Sequence, residues 1–466
     1  MLWVCITLPH LALDGVLRRR SDDVPLVLVD GPANARCVVA ANASAQDAGL
    51  YVGQRLTAAQ ALLAQFEAMP YDAAEADRWQ RFLAGVAYRY SSQVALLPQA
   101  IVLEISRSRS LLGEWQTIER SLRSDLSALG FHHDIAAAPT PHAAQVLASM
   151  KDGQAVLTRE VMQRALEAVP LVKSHLPEHA VDALSRMGIR RLGQLLCMPR
   201  DGLQRRFGAE LLQTIDRLLG DAPAGLELYV PPDAVDWRIE LSHEVENIAA
   251  LVFPIKRMTS DLAAYLSGRD GGVQRFALQL EHRGGKATEV PVGMLSPERD
   301  ANVLFEATRG RLEQVQLPAP VLSLRLMAND LPGFVPAGRD LFDERPANAL
   351  PFEQLRECLR ARLGDRAVYR WGATIDPRPE HSQCTTILDD NFIEPRTRPT
   401  WLLPKPIPLR GMLRILAGPE RIETGWWDGD AVRRDYYIVE TEQGQRAWVY
   451  CAPDEQCGWM LHGWFA

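Results

Sequence analysis

At 466 residues, with 47% hydrophobic and 23% charged residues, the chain has an ordinary globular composition but is too long for one domain, so three to five compact units are expected. No apolar run approaches the roughly 18 residues of a membrane span, and the opening Met1-Leu2-Trp3-Val4-Cys5-Ile6, closed by Pro9 with no basic stretch before it, reads as a buried first strand of a cytoplasmic protein, not a signal peptide. The net charge of −7 excludes a globally basic nucleic-acid binder, and the seven scattered cysteines, with no C-x-x-C element, read as reduced and mostly buried thiols, not a zinc site.

The first 165 residues alternate strand-like and helix-like runs. Leu26-Val27-Leu28-Val29 and Cys37-Val38-Val39-Ala40-Ala41 have the length and composition of strands. Gly49, Gly53 and the Ala/Leu/Gln-rich stretch from Leu56 to Phe66 predict a turn followed by a helix. Ala95 to Ile105 predicts one further strand, bent or at an edge because it contains Pro98. A helix over Trp115 to Leu129 then leads into the strand Asp134-Ile135-Ala136-Ala137-Ala138. This mixture predicts an α+β layer fold and identifies no activity.

From Leu176 to Phe207 the pattern becomes helical. Ala180, Leu184 and Met187 share one face, Gly188 interrupts it, and Leu192, Leu195 and Leu196 begin another. Two short helices around Gly188-Ile189 make a helix-hairpin-helix-like unit whose turn amides are candidate DNA-phosphate donors. A plain helical hairpin with a glycine C-cap explains the same residues.

Residues 238 to 330 alternate again at Phe276 to Glu281 and Val321 to Leu326, with a helix over Ala301 to Val315 between them, and their basic and acidic residues are near parity. Leu331 to Leu350 turns to Pro, Gly, Ala and charge, the composition of a linker. Beyond it come a helix over Phe352 to Leu363, proline-rich stretches, and an aromatic-dense end. There Arg434 to Glu440 and Arg446 to Ala452 predict the two strands of a hairpin.

Several segments resemble landmarks of the Y-family translesion DNA polymerases. Val38 to Leu50 is similar to their fingers motif V-V-S-x-x-N-Y-E-A-R-x-x-G-V. Tyr90-Ser91-Ser92-Gln93-Val94 matches the Y-T-S-x-I that precedes their central palm strand, and Ala136 to Ala148 resembles their G-I-A-x-N-K-x-L-A-K loop and helix. The tail segments Gly418 to Gly429, Arg433 to Tyr437 and Leu461 to Ala466 are similar to the ImuB branch of that family.

The resemblance implies a multidomain α+β protein. Its palm would span 1–165 with fingers inserted at about 32–70, a helix-hairpin-helix thumb 166–237, a little finger 238–330, a linker 331–350 and an ImuB-type tail 351–466. It also implies a place in the SOS response and in translesion synthesis, with damaged or primed DNA, the sliding clamp, the RecA-like ImuA and an error-prone replicative-type polymerase α subunit as partners. Asp340-Leu341-Phe342 resembles the end of the clamp motif Q-L-[SD]-L-F, which makes these three residues the candidate clamp contacts.

The chemistry of the family does not carry over. Its polymerases hold two Mg²⁺ ions with three carboxylates, and Mg²⁺ wants hard oxygen ligands. The first acidic motif falls on Cys5-Ile6-Thr7 and the second on Pro98-Gln99-Ala100, and no acid lies between Asp77 and Glu104 in any register. The triphosphate-gripping tyrosine, arginine and lysine fall on Ala43, Gln46 and Gln145. Glu104 is about four residues, roughly 13 Å of strand, from the second position, and Asp14, Asp30 and Asp47 read as surface charges. No catalytic, metal-binding or cofactor-binding residue is therefore assigned. A scaffold without catalysis is the leading reading, and an active but divergent translesion polymerase is the alternative.

Overall fold

The computed structural model describes residues 1–334 except 19 and 21–23, short pieces between 355 and 384, and residues 398–465 except 454–457. The chain divides into two compact units, 1–362, which is α+β, and 363–466, which is β-rich in its described residues.

The first unit is built on a five-stranded sheet. Its strands are β1 (Trp3–Thr7), the β5–β6 hairpin (Val94–Leu97, Ala100–Glu104), β7 (Asp134–Ala138) and the short β8 (Gln154–Ala155), in the order β5-β6-β1-β7-β8. Between β1 and β5 come α1 (Leu11–Leu17), then β2 (Leu26–Asp30), β3 (Cys37–Ala41), α2 (Ala43–Asp47), α3 (Leu56–Leu62) and β4 (Glu67–Pro70), and last α4 (Ala73–Ala87). β2, β3 and β4 form a separate three-stranded sheet with its own small core of Val27, Val38, Ala45 and Leu50. After β6 come the short α5 (Arg109–Leu112) and α6 (Trp115–Leu129), and α7 (Pro141–Met150) follows β7.

Both faces of the five-stranded sheet are buried, which is why β1 and β6 read as unbroken apolar runs and not as an alternation. Val4, Ile6, Leu8, Ile101 and Leu103 face α4 and α6, whereas Trp3, Cys5, Ala100, Val102 and Ala136 face α7 and the helices beyond it. The α6 residues Trp115, Ile118, Leu122, Leu126 and Leu129 recur at helical spacing and are all buried. Gly130, at φ +77°, ends that helix in the left-handed C-cap that glycine adopts without steric cost.

The helical hairpin follows: α8 (Arg159–Glu167), α9 (Glu178–Arg186), α10 (Leu192–Leu196) and α11 (Arg200–Leu219). Leu184, Leu192, Leu195, Leu203 and Leu211 extend the α7-side core. A four-stranded antiparallel sheet completes the unit, from β9 (Val235–Val245), β10 (Val273–His282), β11 (Ala287–Glu298) and β12 (Val321–Ala328), in the order β11-β10-β12-β9. It is covered by α12 (Ile248–Gly268) and α13 (Ala301–Leu312).

This second layer is fused to the first. Leu262, Leu278 and Leu324 share one continuous apolar cluster with Ile6, Leu83 and Ile118. Where α12 crosses α4, two glycines let the backbones meet: a Cβ on Gly268 would lie 2.1 Å from the Gly85 carbonyl oxygen, and one on Gly85 would lie 2.4 Å from the Tyr265 ring. The buried Arg18 guanidinium stacks on Trp79 and Phe131 at 4.6 and 4.7 Å and pairs with the buried Asp261 of α12.

The second unit holds the two-residue strands β13 (Gly372–Ala373) and β14 (Gln383–Cys384). Its main body is a five-stranded antiparallel sheet of β15 (Trp401–Pro408), β16 (Leu413–Thr424), β17 (Val432–Thr441), β18 (Arg446–Cys451) and β19 (Met460–Trp464), ordered β15-β19-β18-β17-β16. The predicted hairpin is β17–β18, paired from Asp435↔Cys451 to Glu440↔Arg446. Tyr436 stacks on Trp448 at 4.0 Å and donates or accepts a 2.7 Å hydrogen bond at His462 Nδ1, with both rings buried.

Three expectations change. Ala95 to Ile105 is not one bent strand but the β5–β6 hairpin, turned at Pro98-Gln99, with Gln99 in left-handed backbone at φ +52°. Asp14 is not a surface charge: it is 2% exposed, and its carboxylate accepts the His132 amide at 2.9 Å and contacts His132 Nδ1 at 2.7 Å. The predicted linker starts too early: Leu331 is buried and Gly333 bridges Gly271, so residues 331–334 belong to the first unit, while 335–350 with Asp340-Leu341-Phe342, and most of the helix over 352–363, lie outside the described residues. Among the described residues no helix is long and apolar enough to cross a membrane.

Candidate functional site

The positions the resemblance assigns to metal ligands are scattered in sequence, and the fold brings them to one place. β1 and β6 pair with Thr7 opposite Ala100, Cys5 opposite Val102 and Trp3 opposite Glu104. Directly opposed residues share a face, so Cys5, Thr7, Ala100 and Glu104 all lie on the α7 side of the sheet. The Gln99 carbonyl accepts the Leu8 amide at 2.9 Å and completes the junction of strand end and hairpin turn.

The junction is closed at Cys5 and Ala100, half-buried at Thr7 and exposed at Gln99; none of these four is an acid, and the carboxylate beside them is that of Asp134 on β7, directly opposite Thr7 and on the same face of the sheet. Cys5 is fully buried among alanines and Val102, and burial pushes its thiol well above the usual value, so it stays protonated. Ala100 is buried and offers no donor atom. The Thr7 hydroxyl donates to the Asp134 carbonyl at 3.3 Å. Gln80 Nε2 donates to the carbonyls of Leu97 and Ala100 at 2.7 and 2.8 Å, and this ties α4 to the hairpin turn.

Glu104, the one acid on this stretch, is 4% exposed and accepts the Ser106 amide at 2.9 Å. It stands opposite Trp3, two residue pairs beyond Cys5–Val102 on the other side from Thr7–Ala100 along the ladder, so it cannot replace an acid at the hairpin. Among the described residues no three His, Cys, Asp or Glu side chains come together to hold a metal ion. The donor set present, a buried thiol, a hydroxyl and an amide, does not fit Mg²⁺.

The triphosphate positions are equally altered. Gln145, buried on α7, points its amide at the Pro98 carbonyl, 3.5 Å away. Gln46 folds back to the Ala41 carbonyl at 2.8 Å, and Ala43 opens α2 with no side chain to offer. None of the three carries charge toward the sheet edge.

Gly188 and Ile189, the candidate DNA contacts, sit between α9 and α10. Gly188 has φ +84° and open space around it, and its amide donates to the Ser185 carbonyl at 3.0 Å. The Ile189 amide donates to the Leu184 carbonyl at 3.1 Å, while those of Arg190 and Arg191 donate to Gln194 Oε1 at 2.8 and 3.1 Å. These four amides are satisfied internally, so the turn has none of them free for a phosphate.

Sequence reasoning missed what surrounds the turn. Arg186, Arg190 and Arg191 are exposed and have no ion-pair partner among the described residues, and Arg205 and Arg206 on α11 are exposed too. Over residues 171–219 the eight Lys and Arg outnumber the five Asp and Glu, so a local count within the chain's acidic total would have found them. The four-stranded sheet behaves oppositely. Arg238, Arg269, Arg283, Arg299, Arg309 and Arg325 each pair with an acid of the same unit. Arg325 holds the Asp236 carboxyl below its ordinary pKa by a double hydrogen bond at 2.6 and 2.7 Å.

Residues 15–149 match the impB/mucB/samB family. The chain is 26% identical over 464 residues to Protein ImuB from two strains of Caulobacter vibrioides, an alignment that spans 90% of this chain and all of the relative. Among solved structures it is similar to DinB from Sulfolobus solfataricus, with a TM-score of 0.39 and 14% identity over 72% of this chain and 100% of that one. A Dbh–Dpo4 chimera of a Y-family DNA polymerase gives a TM-score of 0.41 and 13% identity over 71% of this chain and 99% of that one.

Proposed function

We propose that this chain, an ImuB-like homologue carrying an impB/mucB/samB domain of the Y-family polymerase type, is a non-catalytic scaffold of damage-induced mutagenesis and translesion synthesis. In this reading it binds primed or damaged DNA in the cytoplasm. It joins the sliding clamp and the RecA-like ImuA to an error-prone polymerase α subunit, which carries out the chemistry.

The observation that carries the reading is the β1–β6 junction. Cys5, Thr7, Gln99 and Ala100 meet where a polymerase of this type needs carboxylates, and none of them is an acid. Without metal oxygen ligands the attacking 3′-hydroxyl keeps its proton and charge on the leaving phosphate goes unscreened. The amide of Gln145 and the methyl of Ala43 supply no counter-charge for a triphosphate, which removes substrate positioning as a separate loss. The alternative, a divergent polymerase, needs several carboxylates at that junction for two metal ions; Glu104 is spent on the Ser106 amide, and Asp134, opposite Thr7, is a single acid there.

DNA affinity is assigned to the arginines around the Gly188 turn, not to its amides. Unpaired exposed guanidiniums bind phosphates by releasing counterions, without regard to sequence. The tail and Asp340-Leu341-Phe342 are the protein-binding parts, with Leu341 and Phe342 as the apolar anchors for a clamp pocket.

A gel shift of a primed duplex over a salt series tests the DNA part. Affinity should fall steeply with salt, and a chain lacking 363–466 should bind as the full chain does. Equal binding by a 363–466 fragment would remove the assignment. Co-purification with ImuA and the α subunit, expected for the full chain and lost without 363–466, tests the scaffold part.

A further inference from the structure

We propose that Trp426 and Trp427 form the anchor of a protein-docking surface in the second unit, fitted to a basic protein segment that brings an apolar pocket. The proposal rests on the scaffold reading above and names the side chains and partner chemistry of its tail.

The aromatics of this unit fall into two groups. Tyr436, Trp448 and His462 are stacked and buried as core. Trp426 and Trp427, in the loop between β16 and β17, are 81% and 59% exposed, with their rings edge to face at 5.6 Å. Two adjacent tryptophans in water forgo a large apolar burial, which marks a surface that another molecule covers.

The loop that carries them is held from beneath. Arg378, 3% exposed, donates to the Asp430 carbonyl at 3.1 Å, to both oxygens of Asp428 and, through Nε and Nη2, to Asp376. The Asp430 amide returns a 3.1 Å bond to Asp428. Gly425, at φ +86°, would place a Cβ 2.3 Å from the Asp430 carbonyl oxygen, so the turn closes only with glycine there. A preorganised loop spares the ordering entropy that otherwise weakens docking.

Charge selects the partner. Residues 376–381 and 423–434 contain five acids against three arginines. Arg378 is buried under the loop; the Asp430 and Glu423 side chains are 72% and 61% exposed, Asp430 lying 3.7 and 3.6 Å from Arg378 and His381 and Glu423 3.5 Å from Arg433, so the rim's acidity is the excess of acids over these cations. Tryptophan faces can stack on single-stranded bases, but an acidic rim repels the phosphates that come with them. The same rim attracts lysine and arginine.

The test uses the full chain as wild type, as the Trp426→Ala/Trp427→Ala double variant, as its Phe/Phe counterpart and as Asp430→Lys. The probes are purified ImuA, purified polymerase α subunit and an oligo-dT strand. The double alanine variant should weaken binding of at least one protein probe by about tenfold or more, with the Phe pair retaining most of it. Asp430→Lys should slow association several-fold and flatten its salt dependence. Binding should also shift the tryptophan emission of the wild type to the blue, and oligo-dT affinity should not change. Near-UV circular dichroism from the Tyr436–Trp448 stack reports that each variant is folded, and Asp430→Lys keeps the test decisive if the double variant is not. Wild-type-like protein binding by both the double variant and Asp430→Lys overturns this proposal while leaving the scaffold reading intact. Loss of oligo-dT binding instead of protein binding makes the loop a nucleic-acid platform and also overturns it. Failure of the wild type to bind either protein overturns both readings.

Discussion

Cys5 lies on the central strand of the five-stranded sheet, at a position to which the resemblance assigns a metal-binding carboxylate, and it is fully buried. Ala136, Val102 and the alanines of α7 leave it no exposure. An aspartate there would be charged without a partner, or would have to take up a proton to fold. Cys5→Asp should therefore lower stability by about 3 kcal/mol or more, read as a drop in the urea midpoint at unchanged slope. An unchanged midpoint would mean the junction is more open than its packing indicates. Restoring acids at Cys5, Thr7, Gln99 and Ala100 together should yield a destabilised chain that still fails to extend a primer, because the positions of Ala43, Gln46 and Gln145 remain empty of charge. That Cys5, Thr7, Gln99 and Ala100 are not acids was legible in the sequence from residue identity alone. The packing around Cys5 and Ala100 was not, because it depends on contacts between strands 93 residues and more apart in the chain.

At the scale of elements, the α4–α12 crossing is the most demanding contact. Gly268→Ala puts a methyl 2.1 Å from the Gly85 carbonyl, and the helices must separate to admit it. Overpacking of this kind costs roughly 1–3 kcal/mol, so thermal unfolding should shift down, while Gly202→Ala, in open space on α11, should not destabilise. In the second unit, burial lowers the pKa of His462, and Arg378 and Arg421 lower those of Asp428 and Asp435. Each group binds its proton more weakly folded than unfolded, so its contribution is present above the unfolded pKa and is lost as pH falls toward the folded one. Stability of this unit should decline first below about 6.5 and again below about 4. His462→Asn should remove the first decline and spare the second, as followed by near-UV circular dichroism. Local elements with a strong period, such as α6 and the β17–β18 hairpin, were readable from sequence. The β5–β6 turn was not, because Gln99 adopts a positive φ with no glycine or asparagine to signal it. Nor was the fusion of the two layers, which depends on where Gly85 and Gly268 meet in space.

For the whole molecule, the proposed function divides labour between a basic helical hairpin, a β1–β6 junction at which Cys5, Thr7, Gln99 and Ala100 are not acids, and a tail that presents tryptophans. Replacing Arg186, Arg190 and Arg191 by alanine should weaken DNA binding about evenly across sequences and reduce the salt slope by about 2 to 3. An unaltered slope would shift DNA binding to another surface. Replacing Leu341 and Phe342 by alanine should abolish clamp binding without affecting DNA affinity. The α+β class and the hairpin could be read in advance. That Gln194 occupies two of the turn's amides, and leaves the neighbouring arginines as the proposed phosphate contacts, could not, since a side chain's choice of partner follows from the folded geometry. The central claim is that this chain binds DNA without polymerising it. Its most direct test incubates the purified protein with a primed template, all four deoxynucleotides and Mg²⁺ or Mn²⁺, following the shift and the length of the primer in the same samples. The account predicts a shifted primer of unchanged length with either metal; template-directed lengthening by the wild-type chain, absent from a mock purification, would contradict it.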